Sequence, residues 1–213
     1  MLVIAWRFKS ALRYHSIMSL DILFALISFS FVSSITPGPN NIMLMTSGAN
    51  FGLRRTLPHL MGVSIGFVVM VLLVGVGVMQ IFTMFPITYD ILKVFSIVYL
   101  LYLAYRIAVS AKLKTEKSDN AKPLTFIQAA LFQWVNPKAW TMALMSITLY
   151  APSQELHLVG IIAAVFGLVN IPCVSAWTIL GTSMNKLLKN ERNLHIFNIV
   201  MAVLLVASVV IVL

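Results

Sequence analysis

Residues 22–48 read ILFALISFSFVSSITPGPNNIMLMTSG. The stretch is apolar from Ile22 to Ile35 and again from Ile42 to Met45, yet Thr36-Pro37-Gly38-Pro39-Asn40-Asn41 interrupts it. A helix that crosses a hydrocarbon core of about 30 Å needs roughly 20 apolar residues. In hydrocarbon every backbone polar group needs a partner, so a helix-breaking cluster persists only where it is buried in protein or lines a water-filled cavity. Here two prolines remove two backbone donors and Gly38 loosens the turn. Upstream carbonyls are thereby released beside the side-chain amides of Asn40 and Asn41. The stretch predicts a broken membrane helix with exposed dipoles. The alternative is a loop ending a short span, because Asp21 to Thr36 alone is slightly short to cross.

The rest of the chain agrees with a membrane setting. Its 213 residues are 60% hydrophobic and 10% charged, with a mean hydropathy of +0.96, whereas soluble chains run near half apolar and about a quarter charged. So few charged side chains cannot cover the surface of a soluble domain of this size, so lipid must cover most of it. Long apolar runs mark six spans: Ile22–Gly48, Leu57–Phe85, Ile91–Val109, Leu124–Ala151, Leu156–Thr182 and Ile196–Leu213. None shows the short alternating strands of a membrane barrel. The expected fold is an all-α integral membrane bundle of six transmembrane helices.

One truly polar stretch, Ala111 to Pro123 (AKLKTEKSDNAKP), divides the chain. Residues 18–110 form a first three-helix half, 111–123 a basic linker, and 124–213 a second three-helix half. An odd number of spans per half forces the halves into opposite orientation, so they are expected to be inverted repeats. The charge balance of 15 Lys+Arg against 6 Asp+Glu, net +9, follows the same geometry. Arg54, Arg55, Arg106, Lys112, Lys114, Lys117, Lys122, Lys186, Lys189 and Arg192 all follow the odd spans, whereas only Lys93 follows an even one. By the positive-inside bias the odd loops are cytoplasmic and both termini lie outside. The positive excess therefore concerns orientation, and nucleic acid is not an expected partner. Arg7, Lys9 and Arg13 break this pattern. Residues 1–17 read as an extension that precedes a start at Met18, since MSLDILFALISF begins directly before the first span. A secretory signal is the rival reading, but no clear small-x-small cleavage site follows.

The fourth span carries a counterpart to the first interruption, Asn136-Pro137-Lys138. It lies about 12 residues beyond Leu124, roughly 18 Å along a helix. Lys138 is the only formally charged residue near mid-depth. An ionisable side chain there marks a substrate or ion path by default, although a lysine also snorkels or binds the carbonyls that Pro137 frees. Gln133 could supply a donor and Trp134 a flat wall, or both could pack. Asn170 and Pro172 in the fifth span could kink it toward a cavity, with helix packing an equal account. Paired interrupted helices in corresponding positions of two halves are how secondary transporters bind a small polar substrate near the midplane.

SSITPGPNNIMLMTSGANFGLRRTLPHLMGVSIGF at residues 33–67 and FQWVNPKAW at 132–140 resemble the LysE/RhtB family of bacterial amino-acid exporters. The likeness covers nearly the whole chain from Met18, and its TPGPNN form is similar to the cysteine and O-acetylserine exporters. The resemblance implies efflux of amino acids or close derivatives across the bacterial inner membrane, driven by the electrochemical gradient. By match to the family motifs it assigns substrate binding and translocation to Thr36, Pro37, Gly38, Pro39, Asn40, Asn136, Pro137 and Lys138. Asn41, Gln133, Asn170 and Pro172 are secondary candidates. In the residues' own chemistry, a zwitterion would set its carboxylate against Lys138 or a half-helix N-terminus. Its ammonium would meet freed carbonyls and the amide oxygens of Asn40 or Asn136.

Other signals point elsewhere. Gly62-Val63-Ser64-Ile65-Gly66 fits the serine-hydrolase pattern but lies inside a helix with no acid nearby, so Gly62 and Gly66 read as a close-packing face. That face could join helices within one chain or two copies in a homo-oligomer. His59 reads as an interfacial histidine near Arg54 and Arg55, with a proton relay as the alternative. The single cysteine, Cys173, excludes a disulfide framework and reads as filler. No metal-ligand cluster or phosphate loop occurs, so no metal and no cofactor is expected. Asp21, Asp90, Glu116, Asp119, Glu155 and Glu191 all fall in loops or at span ends, which leaves no mid-membrane acid pair for proton coupling. Missing nucleophile and acid constellations argue against an enzyme. The main rival to a carrier is a passive channel for small polar solutes, lined by the same Asn-Pro elements.

Overall fold

Ser19 starts the first helix, its hydroxyl accepting from the Ile22 amide at 3.3 Å, with Asp21 in the first turn facing the positive end of the dipole. The computed structural model describes residues 18–78, 80, 84–85, 87–115, 122–151, 155–184, 188 and 190–212. The expected extension at 1–17 and residues 116–121 of the polar stretch lie outside them.

Helix α1 spans Leu20–Ile35, and α2 spans Pro39–Phe51. The break between them is local chemistry. A residue before proline is pushed to extended backbone, and both such residues obey: Thr36 has ψ 140°, and Gly38 has φ −176° and ψ 177°. Pro39 then opens α2 at a position where a missing N–H does no harm. The two helices meet at a bend of 54°. Helix α3, Leu53–Leu73, continues through a π-turn at Val74–Val78 that contains Gly77 at φ 111°. Helix α4 is Ile87–Thr115.

A capping box, Thr125 with Gln128, starts α5 at Phe126–Phe132. A 3₁₀ turn, Gln133–Val135, and extended Asn136 precede α6, Pro137–Tyr150. Helix α7 is Leu156–Met184 and α8 is Glu191–Val212. Four helices are long and apolar enough to cross a membrane, within Leu53–Val78, Asp90–Val109, Leu156–Met184 and Glu191–Ser208, and the bent α1–α2 pair makes a fifth. The architecture is thus all-helical among the described residues and suited to a bilayer.

Helix α7 packs along α1, α2 and α3; α5 lies on α3, and α8 pairs with α4 and touches α2. Missing side chains set the closest crossings. A Cβ added at Gly181 would stand 1.9 Å from the Met45 carbonyl oxygen, and one at Gly48 would stand 2.3 Å from that of Thr178, so α2 and α7 touch backbone to backbone. Gly62 and Gly66 do the same for α5: added Cβ atoms would meet the Phe126 oxygen at 2.3 Å and the Ala130 Cα at 2.6 Å. The Gly62/Gly66 face is therefore filled by α5 of the same chain, not left open for a second copy.

Two apolar clusters carry most of the packing. One joins Leu26, Phe67, Ala143, Ile162 and Phe166 from α1, α3, α6 and α7. The other joins Ile42, Leu100, Phe132, Phe197 and Leu205 from α2, α4, α5 and α8. The two proline breaks lie between them.

Candidate functional site

Breaking α1 at Pro37 and Pro39 leaves the last carbonyls of that helix without amide partners. Side chains from three elements take them. Asn41 Nδ2 donates to the carbonyls of Ser34 and Thr36, each at 2.8 Å. Trp177 Nε1, from α7, donates to Ile35 O at 3.0 Å. Lys138 Nζ, at the start of α6, donates to Thr36 O at 2.6 Å and reaches Pro37 O at 3.4 Å. The lysine thus caps the negative end of α1 across the molecule, an arrangement favoured by the helix dipole. Thr36 turns its own hydroxyl back to Val32 O.

The sequence leaves three roles open for Lys138: a cation in a pathway, a snorkelling side chain, or a partner for carbonyls freed by Pro137. Its observed partners are carbonyls freed by Pro37 and Pro39 in the other half. Gly38 makes the docking possible by volume, not by conformation. Its backbone is extended, which any residue adopts, but an added Cβ would sit 2.6 Å from Lys138 Cδ and 3.1 Å from its Nζ.

Around this contact the two breaks are sewn together. Asn40 and Gln133 form a reciprocal amide pair, Asn40 Nδ2 donating to Gln133 Oε1 at 2.8 Å and Gln133 Nε2 donating to Asn40 Oδ1 at 3.3 Å. Gln133 Nε2 also donates to Ala129 O at 2.9 Å, and its side chain is fully buried. Asn136 accepts from the Lys138 amide at 3.2 Å and so caps α6. The N-terminus of α2, by contrast, has no side-chain cap. Its first free amides, those of Asn40 and Asn41, form a positive helix end beside the lysine.

A small cavity of about 30 Å³ lies in this junction, lined on its polar side by Ser33, Ser34, Asn40, Asn41, Lys138 and Asn170. That is room for one or two waters and far too little for an amino acid. Asn170 Oδ1 and Ser34 Oγ are buried there with no hydrogen-bond partner, so the cavity holds acceptor capacity the protein itself does not use. No carboxylate is among its lining residues.

The sequence candidates sort cleanly. Thr36, Pro37, Gly38, Asn40, Asn41, Gln133, Asn136 and Lys138 meet at this junction, joined by the hydrogen bonds above, and Pro39 and Pro137 open the two helices that form it. Asn170 joins them from α7, whereas Pro172 lies on the exposed side of α7 and does not line the cavity. Trp134 accepts at its carbonyl from Trp140 Nε1 at 2.9 Å and packs in the apolar cluster around α6, so it walls no part of the cavity. Trp177 and Phe67 were not singled out. An indole N–H inside an apolar span needs a partner, and for Trp177 that was the signal available. Phe67 and Met142, which line the cavity, carry none. His59 is 2% exposed within α3, and both ring nitrogens lack a hydrogen-bond partner.

A family model described as LysE type translocator matches residues 31–212, most of the chain. Among curated proteins, the chain is 28% identical over 195 residues to the cysteine/O-acetylserine efflux protein of Escherichia coli (strain K12). It is equally similar to the protein of that name from Shigella sonnei (strain Ss046). In both cases the match covers 89% of this chain and 96% of the relative. No solved structure matches.

Proposed function

The chain belongs to the LysE type translocator family, a family of membrane transporters and not of enzymes, and from that premise we propose how it exports amino acids. The cargo is an amino acid or close derivative of the size of cysteine or O-acetylserine, moved outward across the bacterial inner membrane by alternating access and driven by the electrochemical gradient. In this reading α1–α2 and α5–α6 are each one interrupted crossing. The six spans then form two inverted halves, with both termini outside and the basic loops cytoplasmic. Part of the helix packing supports the repeat: exchanging the halves maps the α3–α7 and α4–α8 contacts onto themselves and α1 on α7 onto α5 on α3, while the close α2–α7 contact has only a slight counterpart in α6–α3.

The observation that carries the reading is the Lys138 ammonium on Thr36 O at 2.6 Å. That contact joins the two interruptions through the groups a zwitterion would use. An arriving substrate ammonium replaces one primary ammonium by another on the carbonyls of Thr36 and Pro37, with Asn170 Oδ1 as a further acceptor. The displaced Lys138 then faces the substrate carboxylate, together with the uncapped α2 amides. The exchange keeps every buried charge paired. It also cannot occur in the 30 Å³ cavity, so binding requires the junction to open. Opening breaks the Asn40–Gln133 pair that ties the interruptions together, which couples cargo to movement of one half against the other.

Counterflow in proteoliposomes tests the proposal. Labelled cysteine or O-acetylserine is expected to exchange faster when unlabelled substrate is present on the far side, and Lys138→Ala is expected to remove that exchange while still inserting and folding. Unchanged exchange in Lys138→Ala removes the lysine from the site, and linear, unstimulated flux identifies a passive channel.

A further inference from the structure

A second and larger pocket, of about 330 Å³, opens beside the first. It lies between α2, the start of α3, the end of α4 and the start of α5. His59, Ser47, Tyr102, Arg106, Lys122 and Gln128 are among its lining residues. All four helix ends belong to the side that carries the basic loops.

Three observations point to a ligand there. The first is volume, which suits a whole small amino acid where the central cavity holds only water. The second is His59. Buried imidazole nitrogens without a partner are costly, and both nitrogens of this ring, on the wall of the pocket, lack one. The third is charge. Arg106 leans on Tyr102, donating to its hydroxyl at 2.9 Å with the guanidinium 5.9 Å from the ring centre. Among the described residues neither Arg106 nor Lys122 has a carboxylate partner, and both line the pocket.

The pocket also leads somewhere. Asn40, Met43, Ser47 and Asn50 recur at the three- and four-residue spacing of one helix face. Asn40 lines the central cavity, and the other three line the larger pocket. One side of α2 therefore runs from this pocket to the central junction, about 10 Å from Ser47 to Asn40 at 1.5 Å per residue. The Asn40–Gln133 pair stands at the inner end of that track.

We propose that this pocket is a loading site, where an amino acid from the basic-loop side first binds with its carboxylate drawn to Arg106 and Lys122 and with His59 supplying a hydrogen bond from the buried wall. The proposal rests on the reading of the cargo as an amino acid. It makes the site distinct from the Lys138 junction, and the two are separable by experiment.

Cys173 is buried in α7 and lines neither cavity, so a Cys173→Ser background carrying Ser47→Cys gives one reporter thiol in the pocket of the full-length protein. The reporter is modified with a maleimide from the basic-loop side in proteoliposomes, with serine as the probe. Serine at twice its half-protecting concentration is expected to slow labelling about threefold by mass action, and serine methyl ester, which lacks the carboxylate, is expected not to. Adding His59→Phe is expected to raise the half-protecting concentration by up to about tenfold, the worth of one hydrogen bond. Adding Lys138→Ala is expected to lower transport about ten- to hundredfold and leave protection intact. If Ser47→Cys does not fold, Tyr102→Cys at the exposed rim carries the same test. Absence of protection in a reporter that still transports overturns the loading site, as does equal protection by the ester. Protection that persists while Lys138→Ala transports normally overturns the central-site reading and leaves the loading site standing.

Discussion

The two interruptions look alike as proline motifs and differ in chemistry. At the first, Pro37 and Pro39 strip the end of α1 of amide partners, and the released carbonyls turn to Asn41, Trp177 and Lys138. At the second, one proline is absorbed locally. The Asn136 amide bonds Gln133 O at 3.3 Å, the Trp140 amide bonds Asn136 O at 3.2 Å, and the Asn136 side chain caps α6. The first break is an acceptor with surplus oxygens, and the second is a donor that sends a lysine across. The two breaks thus present opposite polarity to one cavity.

Their packing differs too. The α2 side of the first break is clamped to α7 backbone to backbone through Gly48 and Gly181, whereas α6 beyond the second break packs through side chains, with Ala139, Trp140, Ala143 and Ile147 in the apolar cluster. The sharpest way to break the comparison is to unclamp the first side. Gly181→Ala drives a Cβ into the Met45 carbonyl, and overpacking of a backbone contact costs about 1–3 kcal/mol or more. Loss of folded protein in a detergent thermal-shift assay is expected, with Gly160→Ala, which meets nothing within 4 Å, as the neutral control.

Lys138→Ala removes the donor while leaving the acceptors. A charge-assisted hydrogen bond is worth about 1.5–3 kcal/mol, so transport is expected to fall about ten- to hundredfold. The expression level, read by immunoblot of membranes, should hold. Gly38→Ala attacks the same contact from the acceptor side. It keeps an allowed backbone but takes the space of the Lys138 side chain, so it is expected to reproduce much of the Lys138→Ala transport defect with little loss of thermal stability. A Gly38→Ala protein that transports normally shows that the docked lysine is incidental to turnover.

Gln133→Leu breaks the amide pair and leaves Asn40 unsatisfied, a change expected to cost about 1–3 kcal/mol in thermal unfolding. Trp177→Phe is the mildest. It withdraws one of several donors to the α1 end and should lower stability by about 1 kcal/mol, with transport retained.

Much of this was legible in the chain alone because it is set by nearest neighbours. Pro37 and Pro39 dictate extended backbone at Thr36 and Gly38 in any context, and Asn136 obeys the same rule before Pro137. Hydropathy marks where lipid must be, and among the described residues the helices follow those runs within a few positions. The role of Gly62 and Gly66 as a packing face was readable from spacing, though not which helix fills it. The burial of the His59 ring is not legible from its sequence neighbours Arg54 and Arg55, because it depends on which way α3 turns that side chain. Trp177 and Phe67 were missed because their spacing resembles that of any buried apolar residue.

By itself the sequence determined an apolar helical chain with two proline interruptions and one lysine that lipid should have excluded. Each of these follows from local backbone sterics or from the hydration of single side chains. Only the tertiary structure decided that the lysine meets Thr36 O, 102 residues away, that Gly38 exists to let it in, and that His59 faces a pocket. Those facts depend on how α2, α6 and α7 pack, and packing contacts between residues far apart leave no periodic trace in the chain.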